Sequence, residues 1–247
     1  MTIQGVVFDL DDTLYDQRQY LQGAFGAVAA YLRGMIDLEE NSILEGLLEI
    51  SREKGSDSGK IIDDFIASAG GNANDEEMIS RAVDAFLSFT PKKLLPYGES
   101  REVLECLKQR RVKLGLLTDG RPQVQRAKID ALSIAGYFDA IVLSDECGRD
   151  RRKPDALPYQ RVLRSLGIDP DECVFVGDNP KRDFVGAKKL GIKTVRVLTG
   201  EYRNISLGEE FDADHVIESL AGLPRLLDGF ERAVPGEHQK MAGRTTS

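Results

Sequence analysis

The sequence predicts an α/β fold: a Rossmann-like parallel sheet flanked by helices, with an all-helical segment inserted after the first strand. Three observations lead there. Short apolar runs recur along the chain, and several break off into polar or acidic residues, as buried parallel strands do. Stretches with helical periodicity separate the later runs, the alternation expected of parallel strands joined by crossovers. Between the first run and the second, about eighty residues carry helical periodicity alone.

The first strand is Val6-Val7-Phe8. In the insertion, Leu21, Phe25, Val28 and Leu32 fall at intervals of four, three and four, which is one helix face. Ile43, Leu47 and Ile50 follow the same rule, and Asn74 with Glu77 forms a capping box ahead of Met78, Val83 and Phe86. Residues 15–95 are therefore expected to form a helical cap over the strand ends. A helix over Arg101–Arg110, with Val103, Leu104 and Leu107 on one face, leads to a strand over Val112–Leu117. Pro122 opens the next helix, which carries Val124, Ile129 and Leu132 and is followed by a strand over Ala140–Leu143. A helix over Asp155–Leu166 stops at Gly167, a strand covers Val174–Val176, and the next helix ends at Leu190-Gly191. Strands over Thr194–Val197 and, more weakly, His215–Ile217 complete the set. Residues 1–14 and 96–230 are thus expected to form the α/β core. Residues 231–247, polar and interrupted by Pro235, Gly236 and Gly243, are expected to be a disordered tail.

Composition narrows the partners. The formal net charge of -8 and the lack of a clustered basic stretch argue against a nucleic-acid scaffold. A small anionic substrate remains compatible, because one metal ion and a few placed cations invert a local field. No run approaches the roughly 18 apolar residues of a membrane span, and the first residues lack a basic segment followed by an apolar one. Cytoplasmic localisation is therefore expected. Cys106, Cys147 and Cys173, odd in number and far apart, are expected to be reduced and mostly buried thiols.

Reactive residues gather where strands end. Asp9, Asp11, Asp12 and Thr13 follow the first strand, Thr118-Asp119-Gly120 the second, and Gly177-Asp178-Asn179 with Asp183 the fourth. Lys153-Pro154 sits in the loop after the third. Ligands of open parallel sheets bind outside the carboxyl ends of the strands, so these groups should converge. Phosphoryl transfer needs such a set: a nucleophile, charge neutralisation and a proton donor for the leaving oxygen. Each residue also has a plainer reading. Acids at strand ends favour turns, Thr118 alone would suit a strand end, and Asp183 could simply start a helix. Asp12 is read as structural. Lys153 adjoins Arg151 and Arg152, and such a run is ordinarily a solvated loop.

Taken in order, Asp9-Leu10-Asp11-Asp12-Thr13, Thr118, Lys153 and Gly177-Asp178 with Asp183 resemble the four motifs of the haloacid dehalogenase-like superfamily, over roughly Ile3 to Leu227. The insertion after the first motif is where that family carries a C1-type helical cap. The resemblance implies Asp9 as a nucleophile forming an aspartyl-phosphate, and Asp11 as general acid-base with a raised pKa. It implies Thr118 and Lys153 as phosphoryl ligands, with Asp119 beside them. It also implies a magnesium ion held by Asp9, Asp178 and the backbone carbonyl of Asp11, with Asp183 either joining them or orienting them. An acid at Asp11 favours a phosphatase over a dehalogenase. A phosphomutase on the same core is the alternative. A phosphonatase is disfavoured because the insertion's lysines, Lys54, Lys60, Lys92 and Lys93, lie in polar or boundary stretches. A phospho-receiver or a silent binding protein is a more distant alternative. The stretch Leu116-Leu117-Thr118-Asp119-Gly120, followed by Gln125-Arg126-Ala127-Lys128-Ile129, is similar to the N-acylneuraminate-9-phosphatase-like branch. Asp119 stands where that branch commonly has Asn, and Arg121 is expected to offset it and contact substrate. The expected substrate is a small phosphorylated metabolite, a sugar phosphate first and a nucleoside monophosphate second.

Overall fold

The computed structural model describes residues 2–72 and 75–232. Its sheet is built around Gly5–Phe8 (β1), which pairs in parallel with Lys113–Thr118 (β2) on one side and Cys173–Gly177 (β4) on the other. Ala140–Leu143 (β3) lies outside β2, while Lys193–Val197 (β5) and His215–Ile217 (β6) continue beyond β4. The order is β3-β2-β1-β4-β5-β6, parallel throughout. All six predicted strands are present.

The central strands are apolar at every step because both faces are covered. Alternate residues of the pleat point to opposite layers. Val6 and Phe8 of β1 join Leu114, Leu116, Val174 and Val176 in a core cluster with helices Ser100–Gln109 (α5), Pro122–Leu132 (α6) and Leu223–Arg232 (α9). Val7 faces the other way, with Leu117 and Phe175, onto helices Ala156–Leu166 (α7) and Val185–Lys189 (α8). Gly167 closes α7 in the left-handed conformation, φ 62°. The chain lays down β1, β2 and β3 in one direction, then returns to place β4 on the free side of β1. That reversal opens a crevice at the carboxyl ends of β1 and its neighbours.

Helices Arg18–Leu32 (α1), Glu40–Lys54 (α2), Ile61–Ser68 (α3) and Glu76–Ser88 (α4) fall between β1 and β2 in the chain. Leu21, Phe25, Val28 and Leu32 of α1 are all buried, as their spacing predicts, and Phe25 meets Phe86 of α4 at 5.0 Å between ring centroids. The two connections to the sheet are tied together. Tyr15 bridges to Pro96, while the Gln19 side-chain amide donates to the Leu95 carbonyl and accepts from the Leu95 N–H, each at 2.9 Å.

Three expectations change. Asn74, half of the predicted capping box, lies outside the described residues, and the N-cap of α4 is Asp75, whose carboxylate accepts from the Met78 N–H at 2.9 Å. Residues 231 and 232 belong to α9 and not to a tail; residues 233–247 lie outside the described residues. Of the three free thiols, Cys173 alone is buried, and Cys106 and Cys147 are half-buried. Among the described residues no helix is long and apolar enough to cross a membrane.

Phe8 is wholly buried at the centre of the sheet. Phe8→Ala is expected to cost about 3–5 kcal/mol, seen as a lower urea midpoint with an unchanged m-value.

Candidate active site

The crevice collects side chains from four separate strand ends. Asp9, immediately after β1, anchors its backbone N–H on the Val176 carbonyl at 2.9 Å. Its Oδ1 accepts from Lys153 Nζ at 2.6 Å, and the same ammonium donates to Asp183 Oδ1 at 2.7 Å. The Thr13 hydroxyl lies 3.3 Å from Asp9 Oδ2 and 3.2 Å from Asp178 Oδ1; its single hydrogen serves one at a time. Asp183 also accepts from the Asn179 N–H at 2.9 Å, so it faces the site and does not open α8. The approach is close enough that a Cβ on Gly177 would lie 2.3 Å from Asp183 Oδ2.

Burial separates Lys153, which the resemblance singles out, from its basic neighbours. Its side chain is 3% exposed, against 54% for Arg151 and 29% for Arg152, which pairs with Asp145 at 2.5 Å. Thr118, at the end of β2, is buried and accepts from Gln125 Nε2 at 2.5 Å. Asp119 accepts from the Lys153 backbone N–H at 3.2 Å, while its buried Oδ2 has no hydrogen-bond partner among the described residues. The cation beside that oxygen is Arg182, at 3.6 Å, and not Arg121, which lines the cavity in an exposed position. Arg182 also pairs with Asp57 of the inserted segment.

The electrostatics follow from burial. Desolvation pushes Asp9 up to about 7 against the opposing charge of Lys153, and Asp183 adds to the rise. Burial, with Asp183 and Asp9 close by, drives Asp178 well above the carboxylate range. For Lys153, burial works against the charge, but Asp183 and Asp9 outweigh it and raise its pKa well above the ordinary value. Asp9, Asp178 and Asp183 present oxygens within 4.8 Å of one another. Three buried carboxylates thus face one ammonium, and an all-oxygen donor set of this charge fits a hard divalent cation such as magnesium.

Asp11 departs from expectation. Its pKa is lowered, not raised: burial pushes it up, but the charge and hydrogen bonds of Lys128, with those of Tyr15 and Gln125, prevail. Lys128 Nζ donates to both oxygens at 2.8 and 2.9 Å, Tyr15 OH to Oδ1 at 2.6 Å, and Gln125 Nε2 to Oδ2 at 2.9 Å. Sequence reasoning missed Gln125 and Lys128 as partners of Asp11, and Arg182 as the partner of Asp119. A signal for two of them existed: Gln125 and Lys128 occupy the buried stripe of α6 with Val124, Ile129 and Leu132, where polar residues need a reason. Asp12, buried with φ 56°, accepts from the Gln17 and Glu201 N–H groups at 2.9 and 3.3 Å, a structural clamp. Gly200 permits it, since a Cβ there would meet the Asp12 carboxylate.

These groups line a cavity of about 340 Å³, walled on the inserted side by Tyr20, Leu21, Phe86 and Leu87. Known proteins resemble this chain along most of its length. A family profile described as haloacid dehalogenase-like hydrolase matches residues 6–197. Glyceraldehyde 3-phosphate phosphatase of Methanocaldococcus jannaschii is 31% identical over 93% of this chain and 99% of its own. N-acylneuraminate-9-phosphatase of Mus musculus is 25% identical over 93% and 95%. Among solved structures, a phosphatase of the same family from Thermococcus onnurineus superposes with a TM-score of 0.63 at 25% identity, covering 93% of this chain and 99% of the other.

The raised pKa of Asp9 has a measurable consequence. Between its ordinary value of 3.8 and about 7, folded Asp9 keeps a proton that the unfolded chain has released, so this group's contribution to metal-free stability falls as pH rises through that window. A divalent cation requires the ionised carboxylates and competes with that proton. Millimolar magnesium is therefore expected to raise the Tm more at about pH 8 than at about pH 5.5, and Asp178→Asn to remove most of the shift.

Proposed function

Because the chain belongs to the haloacid dehalogenase-like hydrolase family, we propose that this phosphoric monoester hydrolase dephosphorylates a small sugar phosphate through a phosphorylated Asp9. The single observation that carries the reading is the meeting of Asp9, Lys153, Asp178 and Asp183 in one buried cluster. In the first step a carboxylate oxygen of Asp9 forms a bond to phosphorus as the bond to the substrate alcohol breaks. Asp11 is ionised while Lys128, Tyr15 and Gln125 donate to it. It first takes a proton from solvent, delivers it to the departing alkoxide, and later takes one from the water that hydrolyses the aspartyl-phosphate, which returns Asp9 as a carboxylate and releases inorganic phosphate. Thr118 and Lys153 bind phosphoryl oxygens, Lys153 as a point charge. Magnesium would be held by Asp9, Asp178, Asp183 and the backbone carbonyl of Asp11, and supplies charge neutralisation at the phosphoryl oxygens.

Residues 15–95 act in this reading as a cap over the cavity. A cavity of about 340 Å³ suits a small metabolite, and the relative from Methanocaldococcus jannaschii is named for a triose phosphate. Asp119 and Arg121 both line the cavity, and in this reading Asp119 lies by the phosphate and Arg121 contacts the substrate.

With magnesium, the chain is expected to hydrolyse p-nitrophenyl phosphate, and Asp9→Asn to lower kcat by roughly three orders of magnitude or more. Absence of turnover on every phosphate ester tried would overturn the reading. Asp11→Asn is expected to reduce hydrolysis of alkyl phosphates by about 10²- to 10⁴-fold, and that of p-nitrophenyl phosphate far less, because p-nitrophenolate leaves without a proton.

A further inference from the structure

We infer that Lys128 is a recognition site for an oxygen acceptor on the alcohol portion of the substrate: a hydroxyl, carbonyl or carboxylate close to the phosphorylated carbon. It exchanges Asp11 for that acceptor when substrate is seated. The inference rests on the phosphatase reading above and extends it to the part of the substrate that is not phosphate.

Hydrogen-bond accounting carries the argument. The Asp11 carboxylate receives four contacts, two from Lys128 and one each from Tyr15 and Gln125. A carboxylate has about four lone-pair sites, so while all these contacts persist Asp11 has no oxygen free for a leaving group. To act on substrate it must release a partner. Tyr15 OH can rotate and accept instead of donating. Gln125 already has a second acceptor, the Thr118 hydroxyl at 2.5 Å. Lys128 has neither option. Its side chain is 5% exposed, and apart from Asp11 its ammonium meets, among the described residues, only the face of the Tyr20 ring at 4.5 Å.

A buried ammonium stripped of its carboxylate needs another acceptor, because an uncompensated buried charge is strongly disfavoured. Lys128 lines the same cavity as Asp9, at the seam between α6 and the inserted helix α1, with apolar Leu21, Phe86 and Val124 also in the wall. The substrate's own oxygen is the acceptor that arrives when Asp11 is needed. Substrates that carry one are favoured, and esters of plain alcohols leave Lys128 unpaired.

The test compares two three-carbon esters, sn-glycerol 3-phosphate and n-propyl phosphate, on the magnesium-loaded full chain. The native enzyme is expected to prefer the first by about 10- to 100-fold in kcat/KM, mostly through KM. In Lys128→Met, which retains an unbranched chain over Tyr20, that ratio should fall to within about threefold, with Lys128→Gln intermediate. A ratio preserved in Lys128→Met, with both esters slowed in parallel, would mean that the lysine only holds Asp11 and would overturn the inference. So would a native enzyme that does not discriminate. Should both variants fail to fold, the affinities of the two esters for Asp9→Asn, measured by calorimetry, decide the matter, and equal affinities count against the inference. Native turnover of p-nitrophenyl phosphate separates the two levels: if it is present and discrimination is absent, only the assignment of Lys128 fails.

Discussion

The site depends on one buried ammonium. Lys153 reaches from the loop after β3 to hold Asp9, after β1, and Asp183, after β4. Asp9 is disfavoured by burial and by Asp183, and the lysine by burial, so the two charges sit there only together. The ion pairs work only because the sheet order places β1 beside β4 and turns their carboxyl ends to the same side. Gly177 allows the last approach, and the Thr13 hydroxyl spans Asp9 and Asp178.

A second ammonium repeats the device two residues along the chain. Lys128 holds Asp11 as Lys153 holds Asp9, but from the opposite wall and with hydrogen-bond donors in place of further acids. The consequence is electrostatic division between two carboxylates in one loop. Asp9, buried and beside Asp183, has its pKa raised, and Asp11, buried among donors led by Lys128, has its pKa lowered. The division matters for chemistry because a carboxylate locked among donors must be released before it can serve a leaving group.

The inserted helices are bound to the sheet by polar contacts as well as by packing. Asp12 accepts from the Gln17 and Glu201 N–H groups, the Glu201 carboxylate accepts from Ser56, and Arg182 spans Asp57 and Asp119. Charges on both sides of the cavity mouth are thereby engaged with one another. Most are partly exposed, where single ion pairs contribute little to stability, so their effect is on register and not on strength.

What the sequence determined by itself is the local periodicity and the order of chemical groups. Strand runs, helix faces and the Gly167 stop are legible because they depend on neighbours within a few residues, and Asp9, Thr118, Lys153 and Asp178 through the order of the four motifs along the chain. The Asp75 cap lay one residue from the predicted one, a difference that short polar residues in series do not resolve. Tertiary structure decided the pairings. Lys153 was buried while Arg151 was not, Arg182 and not Arg121 faced Asp119, and Lys128 lowered the pKa that the role of Asp11 had been expected to raise. The physical reason is the same in each case. A pKa and an ion pair are set by distances and burial between residues 30 to 144 positions apart, and those are fixed only when the sheet closes the crevice around them.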